Sequence, residues 1–148
     1  MTEDVKVGSY CYPVSAGSLK KGSYAILKGF PCIVESITIS KTGKHGHAKA
    51  KIIGTHIFNG KKYDGIETTS HNIDVPNVDR VEYQLTDIRD GYVSLMDGEG
   101  KLREDLKVPE GELGEKIKEL FEDGEDINIV VLSAMGHDQI MEYKIEKN

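Results

Sequence analysis

The 148 residues carry a formal net charge of −6, in a length that holds one compact domain or two small ones. No stretch approaches the roughly 18 apolar residues of a membrane span, and the acidic Met1-Thr2-Glu3-Asp4 is followed by no apolar core of signal-peptide length, so a soluble, cytoplasmic chain without a membrane partner is expected. Charge is unevenly spread: residues 1–76 hold ten Lys against six Asp or Glu, a formal +4, and residues 77–148 sum to −10, which suits the first half to a polyanion and excludes bare phosphate for the second.

The first half reads as short strands. Ser23 to Leu27 is the first, and Gly29 and Pro31 punctuate the connection after it. Cys32 to Ile39 is next, with Ile33, Glu35, Ile37 and Ile39 on one face and Cys32, Val34, Ser36 and Thr38 on the other. From Ala48 to Thr55, Lys49, Lys51 and Ile53 alternate with Ala50 and Ile52. Asn59-Gly60 is the strongest two-residue hairpin signal, since both positions adopt positive φ, and Glu67 to Val75 offers one more extended segment. Such strands without a convincing helix predict a small SH3-like barrel. Pro76-Asn77 marks the seam, where a proline cannot continue a strand and the charge balance changes sign.

The second half repeats the β theme. Val81, Tyr83 and Leu85 alternate with Glu82 and Gln84, Asp90-Gly91 turns the chain into Tyr92 to Met96, and Asp97-Gly98-Glu99-Gly100 turns it into Leu102 to Val108. Leu113, Ile117, Leu120 and Phe121 then form an apolar helical stripe stopped at Gly124. Ile127 to Ala134 is a strand rich in β-branched residues, and Gln139 to Ile145 would close a five-stranded OB-type barrel. The expected fold is therefore mostly β: an SH3-like basic domain over 1–76, followed by an acidic OB-fold domain over 77–148 with one short helix.

Between two strands of the basic half lies Ser40-Lys41-Thr42-Gly43-Lys44-His45-Gly46-His47-Ala48-Lys49, a cationic hairpin tip. Gly43 and Gly46 supply the backbone freedom of a tight reversal, and Lys44 lies between them. A phosphate-binding loop fails at both ends: its first glycine would fall at Thr38, and the residue after the lysine is His45, with no helix following. His45 and His47, even with His56 and His71 in the same half, lack the Cys or carboxylate partners that a zinc site needs, and no metal is expected. Cys11 and Cys32 make neither a disulfide framework nor a metal quartet and suit a reduced, intracellular setting. Cys32 alternates into a strand as a small hydrophobe, so no thiol nucleophile is expected. The acidic clusters around the helix are surface or partner-facing, and no carboxylate pair suggests acid/base work. The remaining readings of the tip are a solvated turn and a presented lysine. Four lysines between Lys41 and Lys51, if each met a phosphate, would make RNA binding salt-dependent with a slope of about 0.7 per contact. The absence of Trp and the few other rings direct any RNA contact to phosphate and shape more than to stacked bases.

The Ser40–Lys49 string resembles that of the translation initiation factor 5A family. So do Phe58-Asn59-Gly60-Lys61-Lys62-Tyr63, Ser70-His71-Asn72-Ile73-Asp74-Val75-Pro76-Asn77, Asp90-Gly91-Tyr92, Arg103-Glu104-Asp105-Leu106, Pro109-Glu110-Gly111-Glu112-Leu113-Gly114 and Val131-Leu132-Ser133-Ala134-Met135. The likeness is close to full length, with a short N-terminal tail and a weakly matching last dozen residues as departures.

The resemblance implies that Lys44 is converted to hypusine. Deoxyhypusine synthase transfers an aminobutyl group from spermidine to it, and deoxyhypusine hydroxylase completes the residue; no other cofactor is expected. It further implies a factor that binds the large ribosomal subunit beside the peptidyl-site tRNA, contacting rRNA, and promotes peptide bonds at proline-rich stalls and termination. Lys41, His45, His47 and Lys49 would steer the tip, and Gly43 and Gly46 would let it approach RNA. No catalytic residue is expected in this chain, and a homodimer is left open. The alternative is a generic SH3-like and OB RNA-binding module acting through distributed lysines, in which Lys44→Ala loses no more affinity than Lys49→Ala. An enzyme using the histidine loop would need a bound metal.

Overall fold

The computed structural model describes residues 10–41 and 48–146. The chain divides into two compact units, the first running to Val78 and including Ala134–Gly136, the second formed by Asp79–Ser133 and the residues from His137 onward. Among the described residues no helix is long and apolar enough to cross a membrane.

In the first unit, β1 (Cys11–Ser15) is followed by a 3-10 turn at Ala16–Ser18, then β2 (Tyr24–Leu27), β3 (Phe30–Ser40), β4 (Lys49–His56), β5 (Lys62–Thr68) and β6 (Asn72–Pro76). Strands β2 to β5 form one antiparallel sheet in chain order, and β1 pairs with β6. Ala25, Leu27, Cys32, Val34, Ala50, Ile52 and Val75 close over one core with Leu19, the layering of a small barrel. Strand β1 has no signal in the sequence because Pro13 interrupts it. It is tolerated in this two-stranded pairing, opposite Asp74, since an edge position needs no ladder donor from proline. The extended segment expected over Glu67 to Val75 is in fact two strands, broken where the His71 N–H bonds the Thr68 carbonyl at 2.9 Å.

Two turn expectations exchange places. The Leu27–Phe30 pairing is closed by Lys28-Gly29, whose φ values of 53° and 85° are the mirror-image turn that matches strand twist. Asn59-Gly60 instead ends a four-residue loop: the His56 N–H donates to the Lys61 carbonyl at 2.7 Å and that of Gly60 to the His56 carbonyl at 3.0 Å. The Asn59 side chain is spent on the Lys61 N–H at 2.9 Å, and in that dipeptide only Gly60 has positive φ.

The face assignment of β3 also changes. A β-bulge between Val34 and Ser36 inserts Glu35 as an extra residue, and a one-residue slip exchanges the faces of everything beyond it. Val34 is buried and Ile33 exposed before the bulge, whereas beyond it Ile37 turns in against the core. Ile33 and Ile37 therefore lie on opposite faces, contrary to the unbroken alternation.

The second unit has β7 (Val78–Arg89), β8 (Tyr92–Met96), β9 (Leu102–Arg103), α1 (Glu112–Glu122), β10 (Ile127–Ala134) and β11 (His137–Ile145), with sheet order β11-β10-β7-β8-β9. This is OB connectivity, and Leu85, Val93, Leu95, Ile129, Val131 and Ile140 fill it with Ile117 and Leu120 of the helix. Asp90-Gly91 turns as expected, with φ of 54° and 82°. The expected strand Leu102 to Val108 is shorter: regular pairing covers Leu102–Arg103, and an isolated bridge follows at Lys107. The interruption falls where Asp105 meets Arg103.

That guanidinium is the unit's main polar tie. Its Nε and Nη2 donate to the two carboxylate oxygens of Asp105 at 2.7 and 3.1 Å, Nη2 also donates to Asp138, and Nη1 reaches the Tyr83 hydroxyl at 3.4 Å. It thus joins β9 to β11, the two ends of the sheet order, by side chains. Asp105 and Asp138 are both held below the usual carboxylate range, chiefly by hydrogen bonds from Arg103. A depressed carboxylate adds stability that is present above its unfolded pKa, about 3.9, and disappears as pH falls through the folded value. Arg103→Gln is therefore expected to cost about 1–3 kcal/mol at neutral pH. In urea unfolding of both proteins, the gap should narrow as pH drops below about 4; a gap independent of pH would refute the ionic origin.

Candidate nucleic-acid interface

The candidate site is the hairpin of β3 and β4, and its stalk follows from the alternation in each strand. Beyond the bulge the partners run Ser36–Ile53, Ile37–Ile52, Thr38–Lys51, Ile39–Ala50 and Ser40–Lys49. Ala50 and Ile52 are fully buried, which anchors β4 in the core and obliges Lys49 and Lys51, one residue out of phase, to face solvent. Strand β5 continues the rows, placing Thr68 opposite Lys49 and Ile66 opposite Lys51.

Lys41, Lys49 and Lys51 are exposed, and none has an ion-pair partner among the described residues. Their charge is therefore available to a ligand. Lys62 is different: its Nζ lies 2.5 Å from Oε1 of Glu35, and the other Glu35 oxygen accepts from the Thr55 hydroxyl. The bulged carboxylate thereby links β3, β4 and β5, and Lys62 and Thr55 hold it below the ordinary carboxylate range. Sequence reading missed this tie because it depends on the bulge.

Of the residues expected to carry the site, Lys41 directly follows the end of β3 and Lys49 opens β4. Gly43, Lys44, His45, Gly46 and His47 lie outside the described residues. The other two histidines of the first half are far apart in role. His56 is buried among rings, its Nδ1 accepting from the Phe58 N–H at 3.1 Å; His71 is exposed, with Nδ1 3.1 Å from Glu67. Cys32 is buried, and desolvation pushes its thiol up, away from the thiolate a nucleophile requires.

A second feature was illegible in composition. Phe30, His56, Phe58 and Tyr63 gather at the other end of β3: the Phe30 and Tyr63 rings stack at 4.9 Å, and His56 lies 5.3 Å from Phe30 and 6.0 Å from Phe58. Strand register, not sequence proximity, brings them together.

Comparison with known proteins covers almost the whole chain. The family described as translation initiation factor 5A-like, N-terminal, matches residues 9–71, and that described as eukaryotic elongation factor 5A hypusine, DNA-binding OB fold, matches residues 77–144. Eukaryotic translation initiation factor 5A of Dictyostelium discoideum is 43% identical over 95% of this chain and 88% of its own length. The Schizosaccharomyces pombe factor 5A-2 is 48% identical over 88% and 77%. Among solved structures, a translation initiation factor eif-5a family protein from Naegleria fowleri superposes with a TM-score of 0.87 at 51% identity, covering 91% of this chain and 99% of that one. The 5A factor from Methanococcus jannaschii gives 0.70 at 31%, covering 95% and 100%.

Proposed function

The chain belongs to the translation initiation factor 5A family, and from that we propose that it binds the large ribosomal subunit beside the peptidyl-site tRNA and, through hypusine at Lys44, promotes peptide-bond formation at stalled, proline-rich sequences and termination. The observation that carries the reading is the stalk. A strand pair anchored in a packed core runs out to Ser40–Lys49, with Lys41, Lys49 and Lys51 exposed and without counterions among the described residues. Such a support suits a lysine that is to be carried into RNA, because phosphate contacts position a protein before any finer contact is made.

Hypusine suits the tip. Addition of an aminobutyl group roughly doubles the reach of the side chain and adds a second amine, and both nitrogens are largely protonated near neutral pH given an ordinary lysine pKa of about 10.4. The charged end would steady the acceptor end of the peptidyl-tRNA in a reactive geometry. Orientation of that kind lowers a barrier by several kcal/mol, under a ceiling of about 7–11. The chain contributes position and the ribosome contributes the chemistry; the relatives are translation factors, a non-enzymatic family. Deoxyhypusine synthase, deoxyhypusine hydroxylase, the peptidyl-tRNA and rRNA are the partners this requires, in the cytoplasm.

The test is the mass of the Lys44 peptide from the native source. It should exceed the unmodified mass by one hydroxylated aminobutyl group. An unshifted mass would remove the hypusine mechanism and leave a module that binds RNA through distributed lysines.

A further inference from the structure

The ring cluster at the base of the hairpin has no part in the tip mechanism. Phe30 opens β3 and Ser40 ends it, so at about 3.3 Å per residue the cluster sits about 30 Å along the strand from the tip. Phe30 is 41% exposed, and the Tyr63 ring stacks against it at 4.9 Å. Tyr63 is itself packed against the core. His56 and Phe58 complete a support that is itself largely covered.

Charge indicates what meets that ring. Lys28 lies in the β2–β3 turn next to it and Lys61 directly precedes β5; both are exposed, and neither has an ion-pair partner among the described residues. The carboxylate tied into this end of the sheet, Glu35, is already neutralised by Lys62. A partly exposed ring, with exposed lysines two residues before it and two residues before its stacking partner Tyr63, fits a nucleotide: the base stacks and the flanking phosphates meet the amines. An apolar protein segment would use the ring but not the charge, and duplex RNA would use the charge but offers no free base face.

We propose that Phe30, backed by Tyr63 and flanked by Lys28 and Lys61, is a stacking platform for an unpaired nucleotide of single-stranded RNA. The proposal rests on the RNA-binding reading of this unit and not on Lys44, so it holds for unmodified protein. It names a second RNA contact, which gives a two-point grip along one strand.

The test uses the full chain made in a host without the modifying enzymes and a labelled ten-nucleotide single-stranded RNA, with the matching duplex as comparison. Phe30→Ala should weaken single-strand binding by about 5- to 150-fold, the range of one lost base stack, and leave duplex binding unchanged. Lys28→Gln should lower the salt slope by about 0.7. Since the chain contains no Trp, Phe30→Trp supplies a single fluorescent reporter at the platform, expected to keep affinity and to be quenched by the single strand. An indole emission left unquenched in the Phe30→Trp protein at saturating RNA would overturn the platform, as would wild-type affinity of Phe30→Ala, the result expected if the patch seats a protein. If only Lys49→Ala and Lys51→Ala weaken binding, the stalk contact stands and the platform does not.

Discussion

Lys44→Arg is expected to leave the protein folded and to abolish its function. The core of the first unit is filled by residues such as Ala50 and Ile52, and its hairpin pairing reaches Ser40–Lys49 without position 44; a lysine-to-arginine exchange that touches no core residue is expected to stay within about 0.5 kcal/mol. Arginine keeps one positive charge, so attraction to phosphate survives. It has no primary amine to receive an aminobutyl group, and its planar fork neither reaches as far nor carries two separate cations. If orientation by the modified tip supplies even about 3 kcal/mol, its loss slows the affected peptide bonds by roughly 150-fold. In cells depleted of their own factor, the variant should fail to restore growth and ribosomes should accumulate at proline runs, while its urea midpoint matches the parent. Full rescue would overturn the tip mechanism.

Gly114→Ala should have the largest effect on stability. Glycine inside a helix ordinarily costs about 1 kcal/mol relative to alanine, so propensity alone predicts that the change stabilises α1. Packing reverses the sign. A Cβ at position 114 would lie 1.7 Å from the Pro109 carbonyl oxygen, 2.8 Å from its carbon and 3.1 Å from Val108 Cγ1. Two of those three neighbours are backbone and cannot rotate away, so the helix or the preceding segment must move and with it the buried Ile117 and Leu120. Overpacking typically costs about 1–3 kcal/mol, and a clash with backbone belongs at the upper end of that range, a large part of the stability of a unit this small. Gly98→Ala is the control, since a Cβ there meets nothing within 4 Å and its φ is not positive. Urea unfolding should place Gly98→Ala with the parent and Gly114→Ala far below both; coincident midpoints would show that the helix start adapts freely.

The contrast between the two glycines shows what a sequence conveys and what it withholds. Helix α1 was legible because Leu113, Ile117, Leu120 and Phe121 repeat at helical spacing, and the turn at Asp90-Gly91 because both residues tolerate positive φ. Lys28-Gly29 was not, since lysine adopts that backbone only when the flanking strands compel it. The bulge at Glu35 was hidden for a related reason: an extra residue is defined only against the partner strand. The role of Arg103 was not legible either, because its guanidinium meets Asp138, 35 residues later, only once the fold is formed. At the site itself, the tip string was readable because glycine, lysine and histidine have no role in a core. The platform was not, because Phe30 and Tyr63 lie far apart in the chain and meet only across the sheet.

Considered mechanically, the hairpin is a cantilever, and Glu35 is its clamp. The carboxylate fastens three neighbouring strands at one level, and five residue pairs extend from there to Ser40–Lys49. Deflection at the free end of a beam grows steeply with the length beyond the clamp, so the aim of the hairpin is governed by where its base is fastened as well as by what it carries. Loosening the clamp would let the Ser40–Lys49 end of the strand pair deviate further from its aim.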